Sequence, residues 1–393
     1  MMQSNYVDRR PEWQLSFENK GNIFLSSLDL ELTERCNNNC LHCYINRPAE
    51  DTAARLKELS TARIKEILKE AVSLGCLIVR FTGGEPLLRQ DFEDLYLFSR
   101  NLGLRVIIFT NATLITEHLA RLFSRIPPLE KIEVSLYGMR KSSYEKVSRI
   151  KDSFESAWQG INLLLGKKVP FIVKSVLLSH NKHETAELDN WAQAVLGMSL
   201  PPAYSMFFDL HGRRDESKNR LIRKFRVSPE EGLRVMARRE DLYLKEMKRF
   251  CSQFIGPPGK LLFSCGAGKG PLCVDSYGYL QPCMLLRSAD TSYNLENGTI
   301  RDALINFFPR IREIGAVNPE YISHCARCFL KGLCEQCPAK SWSEHGTLDT
   351  PVEYLCAIAH AQGRFLGILK DGEKAWEVTN WRERVNKMAH STI

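Results

Sequence analysis

From Ser26 onward, short β-rich runs trade places with stretches whose apolar residues recur at helical spacing. Alternation such as Leu28-Asp29-Leu30-Glu31-Leu32 marks a strand with two unlike faces, and apolar positions three and four apart mark helices. Strands are predicted over Ser26–Leu32, Leu77–Phe81, Leu104–Phe109, Lys131–Leu136, Phe171–Leu177 and Ala203–Phe208. Helices are predicted over Ala62–Leu74, Phe92–Asn101, Glu117–Phe123, Ser153–Leu165 and Glu184–Val195, with Gly75, Gly103 and Gly166 placed for left-handed caps. Strictly alternating elements of this kind give an α/β fold with a parallel sheet. Six units are too few for a closed eight-stranded barrel, so a partial (βα)6 TIM-like barrel is expected, with a flat doubly wound sheet as the alternative.

The polar exceptions collect at one end of these strands. Cys36 follows the first, Thr82-Gly83-Gly84-Glu85-Pro86 the second, Thr110-Asn111-Ala112 the third, and Ser135 with Tyr137-Gly138 the fourth. The C-terminal ends of parallel strands are where such folds build active sites. Gly83-Gly84 lets a ligand approach the backbone, and Glu85 offers a carboxylate to an ammonium group. Beyond the sixth strand, Ser228–Phe250 reads as one long charged helix, capped by Ser228 with Pro229 at its first position. Gly256-Pro257-Pro258-Gly259 then marks a boundary. The expected divisions are 1–25, a barrel over 26–227, a bridge over 228–256, a cysteine-rich domain over 257–369 and an amphipathic tail over 370–393.

At 393 residues, 44% apolar and 25% charged, the composition is that of an ordinary globular protein. No apolar run reaches the ~20 residues of a membrane span, and the start MMQSNYVDRRPEWQ lacks a signal core, so a cytoplasmic protein is expected. The net charge of +8 is modest, and no nucleic-acid module accompanies it. A denser basic run, Arg213, Arg214, Lys218, Arg220, Arg223, Lys224 and Arg226, reads as a solvated face or a seat for an acidic peptide or phosphate.

Thirteen cysteines change the picture. In a reducing compartment closely spaced cysteines mean metal or catalysis rather than disulfides. Cys36-x3-Cys40-x2-Cys43 gathers three thiolates in one loop, whereas structural zinc and common iron–sulfur clusters take four. One corner is left for a cofactor or substrate; a zinc knuckle completed by His42 or a distant cysteine satisfies the same count. Later come Cys265, Cys273, Cys283, Cys325, Cys328, Cys334, Cys337 and Cys356, enough for two four-ligand centres, whether iron–sulfur clusters or zinc ribbons. Cys76 and Cys251 read as buried small hydrophobes.

The three-cysteine loop after the first strand, Tyr44 after its third cysteine, and Gly-Gly-Glu-Pro after the second strand resemble the radical S-adenosylmethionine (radical SAM) superfamily. The resemblance implies a [4Fe–4S] cluster on Cys36, Cys40 and Cys43 whose fourth iron binds S-adenosylmethionine. Its reductive cleavage would give a 5′-deoxyadenosyl radical that abstracts hydrogen. By the same resemblance Gly83, Gly84 and Glu85 would hold the methionyl amino group. Tyr44 would lie beside the adenine, Asn111 and Ser135 would meet ribose or carboxylate, and Arg149 and Lys174 would reach the carboxylate.

The later block is similar to the SPASM extension of these enzymes, with Cys265-x12-Gly278-x4-Cys283 and Cys325-x2-Cys328-x5-Cys334-x2-Cys337 before Cys356. Its last gap is two residues where the family has three. The resemblance assigns Cys265, Cys273, Cys283 and Cys337 to a first auxiliary cluster and Cys325, Cys328, Cys334 and Cys356 to a second. If Cys273 is only a packed thiol, the first keeps an open iron.

SPASM enzymes commonly modify peptides or proteins, so an oxidative peptide-modifying oxidoreductase is implied, fed by a one-electron donor such as flavodoxin or ferredoxin. A small molecule such as a haem precursor is the alternative substrate, and a non-catalytic zinc-binding interaction protein is the reading from another class. Met284 stands where sulfatase maturases of this layout carry an aspartate base. Asp275 is a candidate base or a turn residue.

Overall fold

The structure, a computed structural model, describes residues 23–43, 47–199, 202–205 and 216–390. These fall into two compact units, the described parts of 1–176, 180–205 and 266–311 in the first and of 177–179, 206–265 and 312–393 in the second.

The first unit is built on a nine-stranded sheet. Its strands are β1 (Ser27–Thr33), β2 (Ile78–Gly83), β3 (Arg105–Thr110), β4 (Leu129–Ser135), β5 (Phe171–Val176), β6 (Ala203–Ser205), β7 (Pro271–Val274), β8 (Tyr279–Gln281) and β9 (Tyr293–Asn294). The order is β9-β8-β7-β1-β2-β3-β4-β5-β6, with β1 to β6 all parallel. Sequential order rejects the doubly wound alternative, in which strand order reverses at a switch point. Right-handed crossovers taken always in one direction put every helix on the same face, the arrangement of a partial (βα)6 barrel.

Those helices are α1 (Thr61–Ser73), α2 (Phe92–Asn101), α3 (Glu117–Arg125), α4 (Ser153–Gly166) and α5 (Thr185–Leu196). In α1 the Ser60 side chain accepts from the Arg63 amide, and Ile64, Ile67, Leu68 and Ala71 form its buried stripe. Along β1, Leu28, Leu30 and Leu32 are buried on one face, and Asp29 and Glu31 stand on the other. Asp29 meets Arg80 of β2 at 2.5 Å and Glu31 pairs with Arg287. The sheet therefore presents a charged inner face rather than the apolar filling of a closed barrel.

Gly75 and Gly103 take positive φ as expected, but Gly166 stays helical. Lys168, at φ 55°, makes the left-handed turn, and the Val169 amide reaches back to the Leu164 carbonyl. Burying Val169 at the approach to β5 sets the stop two residues beyond the glycine. The expected domain edge near 257 also moves, because β7 pairs in parallel with β1 and carries 266–311 into the sheet.

The second unit is helical. The single helix expected over Ser228–Phe250 is two, α6 (Pro229–Met236) and α7 (Glu240–Phe254). Ser228 caps α6 and Pro229 opens it, as expected. Leu233 and Ala237 pack with Tyr243 around Ala361. In an unbroken helix Tyr243 would lie about 80° or more around the axis from the Leu233 face, so the break brings all three to one cluster. Ala361 belongs to α8 (Glu353–Phe365). The tail folds here as well. In α9 (Trp381–His390), Val385 and Met388 enter a core with Phe329, Leu330 and Ala359, these two side chains contributing about 1.5–3 kcal/mol each.

Candidate active site

The cysteine loop is closed before any ligand is considered. Arg35 and Cys36 at its entry pair in parallel with Arg47 and Pro48 at its exit. A register shift between Glu31 and Thr33 turns the end of β1 into this loop. The helix Lys141–Ser148, polar apart from Tyr144 and Val147 and not predicted, holds the middle of the loop. Its terminal carbonyls, at Val147 and Ser148, accept from the amides of Leu41 and Asn39 at 3.0 Å each. Such carbonyls lack helical partners, so the loop and the helix end satisfy each other.

Cys36, Cys40 and Cys43 come together at this place. Burial pushes the Cys36 thiol well up, and the neighbouring Cys43, Glu85 and Cys40 add to it. Cys36 Sγ receives the Asn38 amide at 3.3 Å and Asn111 Nδ2 at 3.8 Å. A soft, electron-accepting iron–sulfur group fits this donor set: it takes thiolates, relieves their mutual repulsion, and is held by N–H groups directed at sulfur.

The Gly83-Gly84-Glu85 turn has a different local reason from the one its residues suggest. A Cβ on Gly83 would lie 2.2 Å from the Thr33 carbonyl oxygen, and one on Gly84 2.1 Å from that of Arg35. The glycines admit the chain leaving β1, with the Gly84 amide on Thr33 O at 2.7 Å and the Glu85 amide on Arg35 O at 2.9 Å. Glu85 is fully buried, its carboxylate accepting from Thr110 Oγ1 at 2.8 Å, the Asn111 amide at 2.8 Å and the Leu87 amide at 3.2 Å. Burial outweighs these donors and pushes its pKa up to about 7. The carboxylate is thus a clamp on the loop after β3, and the part of the turn left to meet an ammonium group is its backbone.

Asn111 does not stand free for a ribose either. Its Nδ2 reaches Asn37 Oδ1 at 2.9 Å, and its Oδ1 accepts from the Thr113 amide and hydroxyl. Asn37 and Thr113 escaped the sequence reading; Asn37, inside the motif, was the available signal. Ser135 ends β4 in register with Lys174 of β5. Lys174 pairs with Glu133 and, like Arg80, lies over the Phe109 ring, at 4.7 and 4.9 Å from its centroid. Arg149 is an exposed left-handed residue closing the helix Lys141–Ser148. Tyr44, Arg213 and Arg214 lie outside the described residues. Asp275 holds a turn, accepting from the amides of Tyr277 and Tyr279 at 2.9 Å.

In the second unit, Cys325, Cys328, Cys334 and Cys356 line one cavity of about 730 Å³. Burial, then neighbouring thiols, raise Cys325 to about 12 and Cys356 to about 11. Cys337 is not in that lining. Cys273 is fully buried in β7. Of the other cysteines assigned to the first auxiliary cluster, Cys283 lies in the first unit and Cys265 and Cys337 in the second. Cys76 and Cys251 are buried, as expected of packed thiols.

The model of the Radical SAM superfamily matches residues 30–192. A curated relative, the AdoMet-dependent heme synthase of Methanosarcina barkeri, is 26% identical over 335 residues, 80% of this chain and 92% of that one. Among solved structures, anSMEcpe with bound AdoMet shares 16% identity at a TM-score of 0.60, covering 93% of this chain and 99% of that one. Streptococcus suis SuiB bound to its precursor peptide SuiA gives 0.61 at 16% identity, covering 85% and 76%.

Proposed function

We propose that this chain, which belongs to the radical SAM superfamily, binds an iron–sulfur cluster through Cys36, Cys40 and Cys43 and oxidises its substrate by a radical route. When bound, the cluster and S-adenosylmethionine supply reductive cleavage to a 5′-deoxyadenosyl radical that abstracts hydrogen. The protein's part is placement. Cys36 is fixed by the Asn38 amide and the Asn111 side chain, the loop by the helix Lys141–Ser148, and the Gly84-Glu85 backbone by its bonds to Thr33 and Arg35. The observation that carries this reading is the gathering of three thiols in a hydrogen-bonded loop where β1 ends. Replacing Cys36, Cys40 and Cys43 together by alanine is expected to abolish 5′-deoxyadenosine formation and remove about four iron atoms per chain. Anaerobic assay and iron analysis check both, and residual 5′-deoxyadenosine formation would refute the assignment.

For the second unit the reading is an auxiliary cluster on Cys325, Cys328, Cys334 and Cys356. Cys356→Ala is expected to lose about four iron atoms, while Cys337→Ala leaves that centre loaded. Iron analysis with electron paramagnetic resonance on the two variants separates this from a contiguous ribbon, which would reverse the result.

The substrate reading placed first is a carboxylate-bearing small molecule of the haem-precursor class. Its support is the heme synthase relative, which aligns over 80% of the chain, and Arg80 and Lys174, half-buried cations on the open sheet face with N–H donors beyond those that meet Asp29 and Glu133. The second is a peptide, favoured by the fold shared with SuiB, whose structure holds a precursor peptide. Anaerobic incubation with iron tetrapyrrole precursors and, separately, a candidate peptide decides between them. The true class stimulates 5′-deoxyadenosine formation and changes mass, by about two hydrogens in a peptide crosslink.

A further inference from the structure

The four-cysteine cavity contains a residue that the cysteine pattern does not call for. His360 lies one helical turn after Cys356 on α8, so both side chains share a face. Its Nδ1 is 2.8 Å from the Cys356 carbonyl oxygen and 3.5 Å from Cys356 Sγ. The Ala375 amide donates to the other ring nitrogen, Nε2, at 3.3 Å. An Nε2 that accepts carries no proton, so the proton is on Nδ1, directed at the carbonyl and sulfur of Cys356.

The donor to Nε2 comes from the tail. Glu373 accepts from the Lys370 amide at 2.8 Å and is bound by Arg384 of α9 at 2.5 and 2.8 Å, which fixes the segment carrying Ala375 and Trp376. The Trp376 ring stacks on His324, next to Cys325, at 4.3 Å, and meets His360 edge-on at 5.6 Å. Trp376, Lys374 and Glu373 line the same cavity.

We propose that His360 is a positioning residue for the auxiliary centre: held in one tautomer by the tail, it donates a hydrogen bond to the Cys356 thiolate and raises the cluster's reduction potential. This rests on the reading that an iron–sulfur cluster occupies that cavity. A hydrogen bond to a ligand sulfur draws electron density from it and favours the reduced, more negative cluster.

The test uses the full-length, iron-loaded enzyme under anaerobic conditions, with redox titration followed by electron paramagnetic resonance. Cys356→Ala is the occupancy control. If it loses no iron and no signal, the cluster reading itself fails, independently of His360. With occupancy established, His360→Leu is expected to keep its iron and titrate at a more negative potential. His360→Gln, which retains an N–H donor, is expected to recover part or all of the shift. Should the leucine variant shed iron by misfolding, a glutamine variant at the wild-type potential supports the same role. An unchanged potential in a loaded leucine variant overturns the proposal. So does loss of the cluster in both variants, which would make His360 a ligand rather than a donor.

Discussion

Gly84→Ala is expected to destabilise the first unit by on the order of 3 kcal/mol or more and to strip the cysteine loop of iron. The new Cβ would lie 2.1 Å from Arg35 O, 2.5 Å from Arg35 C and 2.9 Å from Glu34 C, all backbone atoms. A flexible side chain could swing away; this segment is held by the Glu85 amide on Arg35 O and by the pairing of Arg35 and Cys36 with Arg47 and Pro48. Relief therefore moves Cys36. Urea denaturation and iron content measure the two effects, and an alanine variant with the parent's midpoint and iron would refute the role given to the close approach.

Glu85 has the second large effect, and it shows in pH. Burial raises its folded pKa to about 7, against 4.5 for the free side chain. Between those values the folded protein holds a proton that the unfolded chain has released. Stability from this residue is thus full below pH 4.5 and is lost as pH rises through about 7. A gap of about 2.5 pH units, at about 1.4 kcal/mol per unit, amounts to roughly 3–4 kcal/mol. Glu85→Gln cannot ionise, so its denaturation midpoint is expected to fall less across that window than the parent's does. A parallel fall in both proteins would show that another group is responsible. Glu85→Ala leaves Thr110, Asn111 and Leu87 with buried unpaired donors, at about 1–3 kcal/mol each. It also frees Asn111 from its place beside Cys36, so reduced cluster loading accompanies the instability.

The regular elements were legible because their signals are local. Alternation marked β1 to β5 to within about two residues, and α2 begins at Phe92 and ends at Asn101 as the spacing predicts. Signals that depend on distant partners were not. The helix Lys141–Ser148 has two apolar residues in eight, too few for a period; it exists because Tyr144 and Val147 are buried and the cysteine loop takes up its last carbonyls. Nothing near Pro271 announces that β7 will pair with β1. The cysteine loop, being one motif, stood out in the sequence, yet the Asn37–Asn111–Thr113 network that steadies it did not. Glu85 shows the limit most clearly. Its presence in the motif was plain, but its direction, inward to the β3 loop rather than outward to a ligand, follows only from the packing of two strand ends.

The backbone of the cysteine loop hangs on the helix Lys141–Ser148 and on the pairing of Arg35 and Cys36 with Arg47 and Pro48, and none of these bonds involves sulfur. Loss of the proposed cluster to oxygen is therefore expected to leave the receptacle standing. Iron, sulfide and reductant should then restore it without refolding, which would make its inactivation by air a repairable injury rather than a commitment to degradation.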